Sequence, residues 1–288
     1  ERLPGNMNAE QLAHGIIEIA NWNQANAIRQ MTIQRGIDPR AFALLSFGGA
    51  GPAQSCAVAE LLGMKACIVP PNPGNLSAFG LLAVDWRTDH IVTKVMHEDN
   101  VDLPAIAAHY HALERDAIET IKHDGIDESR IRVVREADMR YAGQSMEVRI
   151  VAPGGTIDAT FLAALIEAFH AAHLRTFGYN YAGQQKVEFV NFCVSGFGMI
   201  ERPSMPKLAS GMAKPTAKAA RPVYFGRAFR DTPIYDRALL PPGFTLAGPA
   251  VIEEFGSTTV VFPGHKLEVD PHGILVVRPA PTATETAR

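Results

Sequence analysis

The sequence has few cysteines, no excess of one charge and no long apolar run, and each shortage excludes a class of protein. Three cysteines among 288 residues, without a CxxC pair, exclude a disulfide framework and the common zinc spacings. A net charge of −3 without a basic stripe gives no reason to expect nucleic-acid binding. No apolar run approaches the roughly 18 residues of a membrane span, and the polar first residues are unlike a signal peptide. We expect a cytoplasmic protein with no metal site and no nucleic-acid or membrane partner.

The composition that is present, 47% hydrophobic and 20% charged residues, is typical of a globular chain with room for two domains. The clearest helix is predicted over residues 7–36. Asn8 as N-cap and Gln11 three positions later form a capping box, and Gly36 ends the pattern. Apolar residues repeat along this helix with a helical period: Leu12, Ile16, Ile19, Ala20, Ala27, Ile28 and Met31.

A glycine-rich turn follows this helix. The buried-strand pattern at 41–47 leads into FGGAGP, a helix is predicted over 51–63, and a second strand over 66–70. This succession of elements indicates an α/β layer architecture. In many proteins such a turn brings backbone N–H groups close to a phosphate or nucleotide, but glycines here also suit a tight turn without a ligand.

The remaining chain alternates helices with strands and then becomes rich in β-structure. Helices are predicted over 103–123 and 158–176, and strands over 131–140, 145–151 and 187–199. The stretch 204–222 is rich in Pro, Ala and Lys, and we predict it to be a linker. The predicted domains are 1–98, an α+β domain at 99–203 and, after the linker, a β-rich C-terminal segment at 223–288.

Several long strings in this sequence share one resemblance. They include LLSFGGAGP, VPPNPGNLSAFGLLAVDWRTD, IANWNQANAIRQMTIQRGIDPRAF, DMRYAGQSMEVRI, VEFVNFCVSGFG and GPAVIEEFGSTTVVFPG. Together they resemble the ATP-dependent hydantoinase A/oxoprolinase family, in a consistent order over nearly the whole chain. The matched part is similar to the C-terminal portion of that family.

The resemblance implies the fold of actin, sugar kinases and heat-shock ATPases (ASKHA), in which ATP lies between two lobes. Residues 1–98 would be the C-terminal part of one such lobe. Its adenosine loop would consist of Gly48, Gly49, Ala50, Gly51 and Pro52, where glycine lets the backbone lie flat against a base or ribose. Asn23, which matches the family, is expected near the nucleotide.

The sequence departs from the family pattern in places that bear on chemistry. The family usually continues GGAGP with Leu-His, whereas Ala53 and Gln54 follow here, so any proton transfer by that histidine is lost. Gln24 and Asn26 also replace residues that family members tend to keep as Met and Arg, whereas Asn21 and Arg29 match. These departures suggest an altered member with another substrate.

The family's phosphate chemistry depends on Asp-x-Gly-Gly-Thr-x-x-Asp motifs, and the sequence contains neither of the two. The nearest string, PGGTID at 153–158, is predicted to be a turn in which Thr156 or Asp158 caps the next helix. The chain is therefore expected to be a fragment or the product of a split gene. A partner subunit with the phosphate-binding lobe would hold most of the ATP phosphates and Mg²⁺, and a hydantoinase B-like subunit would complete a hetero-oligomer.

Such a split resembles acetophenone carboxylase. The resemblance implies a subunit of an ATP-dependent carboxylase, a ligase that activates bicarbonate and a ketone to form a β-keto acid. Two alternatives remain open: a subunit of an ATP-dependent hydantoinase or 5-oxoprolinase that opens cyclic amides, and a scaffolding subunit without a direct nucleotide role. The catalytic residues are not identified at this stage.

Other side chains with chemical potential have simpler interpretations. His170 and His173 lie three apart on a predicted helix, where both could face a metal, but no carboxylate partner is evident. Glu253 and Glu254 could share acid–base work. We predict instead that one of them points inward to an arginine while the other is solvated. Residues 257–259, Ser-Thr-Thr, are interpreted as strand residues and not as nucleophiles.

Overall fold

The computed structural model describes residues 7–209 and 215–279, and its chain groups into two compact units. The first unit combines Glu1–Leu82 with Pro203–Arg288, and the second is Ala83–Arg202. Both contain helices and sheets, which confirms the mixed α/β class. Within the described ranges, no helix is long and apolar enough to cross a bilayer.

The helices and strands are numbered in chain order. The helices are α1 (Ala9–Ile33), α2 (Gly51–Leu62), α3 (Leu76–Leu82), α4 (Leu103–His123) and α5 (Ala159–Phe177). The strands are β1 (Leu44–Leu45), β2 (Cys67–Val69), β3 (Trp86–His97), β4 (Ile131–Tyr141), β5 (Val148–Val151), β6 (Val187–Gly198), β7 (Ala219–Phe225), β8 (Ala228–Asp236), β9 (Thr245–Ala247), β10 (Ala250–Glu254), β11 (Ser257–Val261), β12 (His265–Val269) and β13 (Leu275–Pro279).

Two sheets form the body of the first unit. One has the order β1-β2-β13-β12-β9 and the other β11-β10-β8-β7. The segment predicted to be a separate C-terminal element therefore pairs with β2, through Val277 opposite Cys67 and Leu275 opposite Val69. The predicted linker 204–222 differs from the structure at its end, where residues 219–222 already belong to β7, and residues 210–214 of it lie outside the described residues.

The second unit is a single antiparallel sheet, β3-β6-β4-β5, with α4 and α5 packed on it. Its core is aromatic and includes Tyr110, Phe169 and Phe192, each fully buried. Gly196 of β6 lets α4 approach closely, because a Cβ at that position would lie 2.9 Å from Cδ1 of Ile121. The three helix and strand patterns predicted for α4, α5 and β6 are confirmed to within a few residues.

The helix starts follow the predicted chemistry. Asn8 and Gln11 form the reciprocal capping box of α1, with hydrogen bonds of 2.8 and 3.0 Å. Asp158, at the end of PGGTID, caps α5 by accepting a hydrogen bond from the Phe161 N–H at 2.9 Å. Both sites show a polar side chain satisfying an N–H group that the first helical turn leaves unpaired.

The apolar repeat of α1 is not a core stripe of this unit. Asn21 and Ala25 are the buried residues of the helix, whereas Ile16, Ile19 and Met31 are about 60% exposed. The periodicity predicted the helix correctly but did not indicate what covers its apolar face. Sequence spacing identifies a face, and burial depends on which other elements the chain brings against it.

Candidate functional site

The glycine-rich loop joins β1 to α2 and is the feature that the sequence singled out. β1 pairs in parallel with β2, and Ser46 just after it donates its N–H to the Ile68 carbonyl at 2.8 Å. The chain then turns at Gly48, whose φ of +88° favours glycine. The Gly48 N–H is held by the Pro73 carbonyl at 2.7 Å. Pro52 occupies the first turn of α2, where its missing N–H costs no helical hydrogen bond.

A second turn, at residues 255–256, lies against the glycine-rich loop. The Ser257 hydroxyl donates to the Gly49 carbonyl at 3.1 Å and lies 3.4 Å from the Gly48 carbonyl oxygen. A Cβ at Gly49 would lie 3.2 Å from the Gly256 carbonyl oxygen, and one at Gly74 would lie 3.3 Å from the same atom. A side chain at 49 would therefore require the Gly256 carbonyl to shift by a few tenths of an ångström, whether or not a ligand binds. The sequence pattern indicated that Ser257 lies in a strand but not that its hydroxyl contacts the loop.

The other side of the loop is open. Gly49 and Ala50 are exposed, and the N-cap Ala50 has no side-chain oxygen with which to cap α2. The positive end of the helix dipole is thus presented at an accessible glycine turn. This arrangement suits the approach of a ribose or phosphate to the backbone.

The departures from the family pattern on α1 and α2 lie together. The Gln24 amide donates to the Gln54 amide oxygen, so two substituted positions form one contact between the helices. Arg29 reaches the Leu61 carbonyl and lies 3.1 Å from Asn26. Asn23 is exposed on α1. The sequence differs from the family pattern at both Gln24 and Gln54. These two differences, and not helical periodicity, are the sequence feature that could have predicted their contact.

The two histidines of α5 serve the core of the second unit. His170 Nδ1 lies 2.8 Å from the Tyr141 hydroxyl, and His173 Nδ1 lies 2.8 Å from the Tyr179 carbonyl oxygen. Both rings are buried among aromatic side chains. Among residues 7–209 and 215–279, no three His, Cys, Asp or Glu side chains come together in a way that could hold a metal ion.

The three cysteine thiols are not suited to act as nucleophiles. All three cysteines are buried, and burial raises the pKa of the Cys56 and Cys193 thiols to about 12. A thiol with so high a pKa is protonated near neutral pH and is a poor nucleophile.

The paired glutamates behave as predicted. Glu254 points inward to Arg237, with 2.6 Å between carboxylate and guanidinium. Glu253 is one-third exposed and lies 2.8 Å from Lys218. Opposite directions follow from the alternation of side chains along β10. The pair is structural and does not form a shared acid–base site.

Comparisons with known proteins cover nearly the whole chain. A model of the hydantoinase/oxoprolinase family matches residues 4–90, and a model of the hydantoinase/oxoprolinase C-terminal domain matches residues 97–280. The caprolactamase alpha subunit of Pseudomonas jessenii is 33% identical over 283 residues, which is 96% of this chain and 40% of that protein. The acetone carboxylase beta subunit of Xanthobacter autotrophicus is 28% identical over 292 residues, which is 96% of this chain and 40% of that protein.

Two solved structures share the fold. A nucleotide-free acetone carboxylase superposes with a TM-score of 0.83 at 25% identity, and the ATP-dependent caprolactamase of Pseudomonas jessenii with 0.73 at 32% identity. Each match covers 96% of this chain and 41% of the other. The chain thus spans about 40% of the length of each of these relatives.

Proposed function

Because the chain belongs to the hydantoinase/oxoprolinase family, we propose that it forms the adenosine-binding part of an ATP-dependent enzyme that activates a carbonyl group. The observation that supports this most directly is the glycine turn at 48–52, whose Gly49 carbonyl accepts a hydrogen bond from Ser257 and whose residues Gly49 and Ala50 are exposed. A backbone surface with small side chains, at the positive end of a helix, is suited to a ribose and its first phosphate. The first unit would be part of an actin-like lobe.

The remaining parts of ATP would be held elsewhere in the assembly. The sequence carries no Asp-x-Gly-Gly-Thr motif, and no three His, Cys, Asp or Glu side chains cluster among the described residues. A phosphate-binding lobe, on the same polypeptide or on another subunit, would therefore hold the triphosphate and Mg²⁺, and a hydantoinase B-like subunit would contribute to the reaction. The related caprolactamase and acetone carboxylase chains are themselves named as subunits, which supports a hetero-oligomer.

For the reaction we favour ATP-dependent opening of a cyclic amide. The identity to the caprolactamase subunit, 33%, exceeds the 28% to the acetone carboxylase subunit over the same share of this chain. In such a reaction the γ-phosphoryl group of ATP passes to the amide oxygen and ADP leaves. Water attacks the carbonyl carbon of the phosphorylated amide, and the ring C–N bond breaks to give an amine and an acyl phosphate. A second water then hydrolyses the acyl phosphate to a carboxylate and phosphate, so phosphorylation makes a poorly electrophilic amide carbon reactive.

Carboxylation of a ketone is the second candidate, with acetophenone as a possible substrate. The higher TM-score to acetone carboxylase, 0.83 against 0.73, favours it. Here both bicarbonate and the enolate of the ketone would be activated by ATP and kept from water until they meet. The two candidates differ in one measurable requirement, because only carboxylation consumes bicarbonate.

Nucleotide binding is tested at Ala50. Its side chain is exposed, so Ala50→Leu is expected to leave the melting temperature unchanged but to obstruct a ligand lying on the loop, lowering ATP affinity about tenfold or more. Calorimetry on the intact enzyme measures this. Ala159→Leu, the same change at the exposed first residue of α5, is the matched control. Unchanged ATP affinity in Ala50→Leu would contradict the proposal.

The reaction is tested with the purified assembly, ATP and Mg²⁺. Caprolactam, 5-oxoproline or a hydantoin should stimulate ATP consumption without bicarbonate, and mass spectrometry should detect the ring-opened product. Acetophenone with labelled bicarbonate is the second arm. Bicarbonate-dependent ATP consumption with label in a β-keto acid would assign the enzyme to carboxylation.

A further inference from the structure

One side of the sheet in the second unit ends in a long edge strand. β3 is the outermost strand of the order β3-β6-β4-β5 and runs for 12 residues. In the part of the chain that the structure describes, no strand pairs with its outer edge. About half of its N–H and C=O groups therefore point away from the sheet. Native proteins usually cover or interrupt such an edge, because it is a template for pairing with another strand.

The side chains at the start of β3 alternate between two faces. Thr88 lies opposite Gly196 of β6, so it shares the face on which α4 packs. Trp86 is on this face too and is half exposed. Arg87 and Asp89 occupy the other face, where their side chains are 51% and 43% exposed. The edge thus presents an aromatic ring on one face and two opposite charges on the other.

The ion pair between Arg87 and Asp89 leaves an atom of each residue free. Arg87 donates from Nε and Nη2 to Asp89 Oδ1, both at 3.0 Å, and the Ser195 hydroxyl donates to the same oxygen at 2.6 Å. Arg87 Nη1 and Asp89 Oδ2 have no hydrogen-bond partner among the described residues. A positively charged donor and a negatively charged acceptor therefore remain available two positions apart.

These charges are complementary to a second copy of the same strand. When two identical strands pair in antiparallel fashion about a two-fold axis, the residue on the axis faces itself and its flanking residues face each other. With Thr88 on the axis, Arg87 of each copy faces Asp89 of the other. On the opposite face, Trp86 of each copy then faces His90 of the other.

Neighbouring registers lack this complementarity. An axis at Arg87 or at Asp89 brings two like charges directly opposite each other, which is destabilising. An axis at 90, 91 or 92 places Ile, Thr or Val opposite Asp89. The charge pattern therefore selects the register centred on Thr88.

We propose that the outer edge of β3 pairs with the same edge of a second copy of this chain, antiparallel and centred on Thr88. Four strands from each copy would then form one continuous sheet. The bulge between Thr93 and Met96 lies beyond the paired stretch, which has the length of an ordinary short strand. This inference does not depend on the proposed function.

The first test measures dimerisation of the full chain by sedimentation velocity at increasing concentration. All samples carry Ile16→Glu and Ile19→Glu, which remove exposed apolar side chains of α1 that could associate by themselves. This reference chain should dimerise. Asp89→Arg creates like-charge contacts at two symmetric positions and should weaken dimerisation about tenfold or more. Asp116→Arg, the same change at a half-exposed aspartate of α4, is the control.

A charge exchange makes this test specific. Adding Arg87→Asp to Asp89→Arg restores opposite charges across the axis and should bring the dimer affinity back to within about threefold of the reference. A dimer that does not pair Arg87 with Asp89 has no reason to recover.

A second test examines the register directly. Thr88→Cys places a thiol opposite its own copy, where the Cα atoms of an antiparallel pair are about 4.5–5.5 Å apart and a disulfide can form. Mild oxidation should link the two chains, as a non-reducing gel would show. Thr93→Cys is the control, because its two copies would lie about 33 Å apart. The native cysteines are buried and do not compete.

The contrary results are distinct. A reference chain that stays monomeric at every concentration overturns the proposal, and so does a dimer that Asp89→Arg leaves unchanged. Linking through Thr93→Cys and not through Thr88→Cys overturns it as well. If Asp89→Arg lowers the melting temperature, because it also removes the hydrogen bond from Ser195, the cysteine test still decides. None of these results changes the proposed function, which ATP binding tests separately.

Discussion

The carboxylate of Glu254 lies 2.6 Å from the guanidinium of Arg237, and both side chains are less than a tenth exposed. Arg237 also donates to the carbonyls of Val69 and Gly273, each at 2.9 Å. The guanidinium therefore joins β10 to β2 and to the turn before β13. Burial lowers the pKa of Arg237 and the Glu254 carboxylate opposes this shift, so the charge is maintained by its partner.

Glu254→Gln should destabilise the first unit by about 3 kcal/mol, because it leaves a buried guanidinium without its counter-charge. Urea unfolding measures the loss. Glu253→Gln is the matched control on the neighbouring residue, whose ion pair with Lys218 is partly exposed, and it should cost about 1 kcal/mol or less. Equal effects of the two substitutions would show that the buried pair contributes no more than a surface one.

The stability of the second unit should depend on pH through Asp138. Arg149 donates two hydrogen bonds to this buried carboxylate, at 2.8 and 3.0 Å, and Asn191 donates another at 2.9 Å. The bond from Arg149 is the main cause that holds the pKa of Asp138 below its usual value. A lowered pKa stabilises the folded state above the unfolded value of about 3.9, and this contribution is lost as the pH falls through the folded value.

Asp138→Asn should therefore cost about 1–3 kcal/mol at pH 7, and its difference from the unmodified protein should shrink below pH 4. Urea unfolding at pH 7, 5, 4 and 3 checks this. Asp116→Asn, a half-exposed aspartate on α4, should change neither the stability nor its pH dependence. A difference that stays constant from pH 7 to pH 3 would contradict the role of the charge.

The elements that could be predicted from sequence are those that depend on neighbouring residues. The capping box of Asn8 and Gln11 and the cap at Asp158 each involve contacts three residues apart. The opposite orientations of the Glu253 and Glu254 side chains follow from the alternation of side chains along a strand. Local chemistry determines all of these, so the sequence shows them directly.

The parts that could not be predicted depend on distant pairings. Ser257 supports Gly49 across 208 residues, and β2 pairs with β13 although 210 positions separate Cys67 from its partner Val277. The buried unpaired oxygen of Asn21 is likewise visible only once the helices and β7 are in place. The exposed apolar residues of α1 could not be anticipated either, since periodicity does not reveal what packs on a face.

Gly196→Ala should destabilise the second unit by about 1–3 kcal/mol, because the new Cβ would lie 2.9 Å from Cδ1 of Ile121 and 3.1 Å from Cγ2 of Thr88. Ile121→Val removes that Cδ1 and alone should cost about 1 kcal/mol. The loss of unfolding free energy in the double variant should be smaller than the sum of the losses in the two single variants, by about 0.5 kcal/mol or more. Gly154→Ala, where no atom lies within 4 Å of the new Cβ, is the control. Strict additivity would show that α4 shifts freely.

The last prediction concerns the apolar face of α1. Ile16 and Ile19 are 60% and 64% exposed, and they lie three residues apart on one helix face. Exposed apolar side chains that cluster in this way usually mark a surface that another protein segment covers. We therefore expect the chain alone to self-associate and to bind a dye that reports exposed apolar surface.

The double variant Ile16→Glu and Ile19→Glu should reduce both signals severalfold and weaken assembly with the proposed phosphate-binding lobe. Size-exclusion chromatography and co-purification measure these effects. Ala13→Glu with Gln30→Glu adds the same charge at exposed positions of α1 without removing apolar surface, and it should leave assembly intact. If the isoleucine variant assembles like the unmodified chain, the apolar face of α1 does not contact the proposed phosphate-binding lobe.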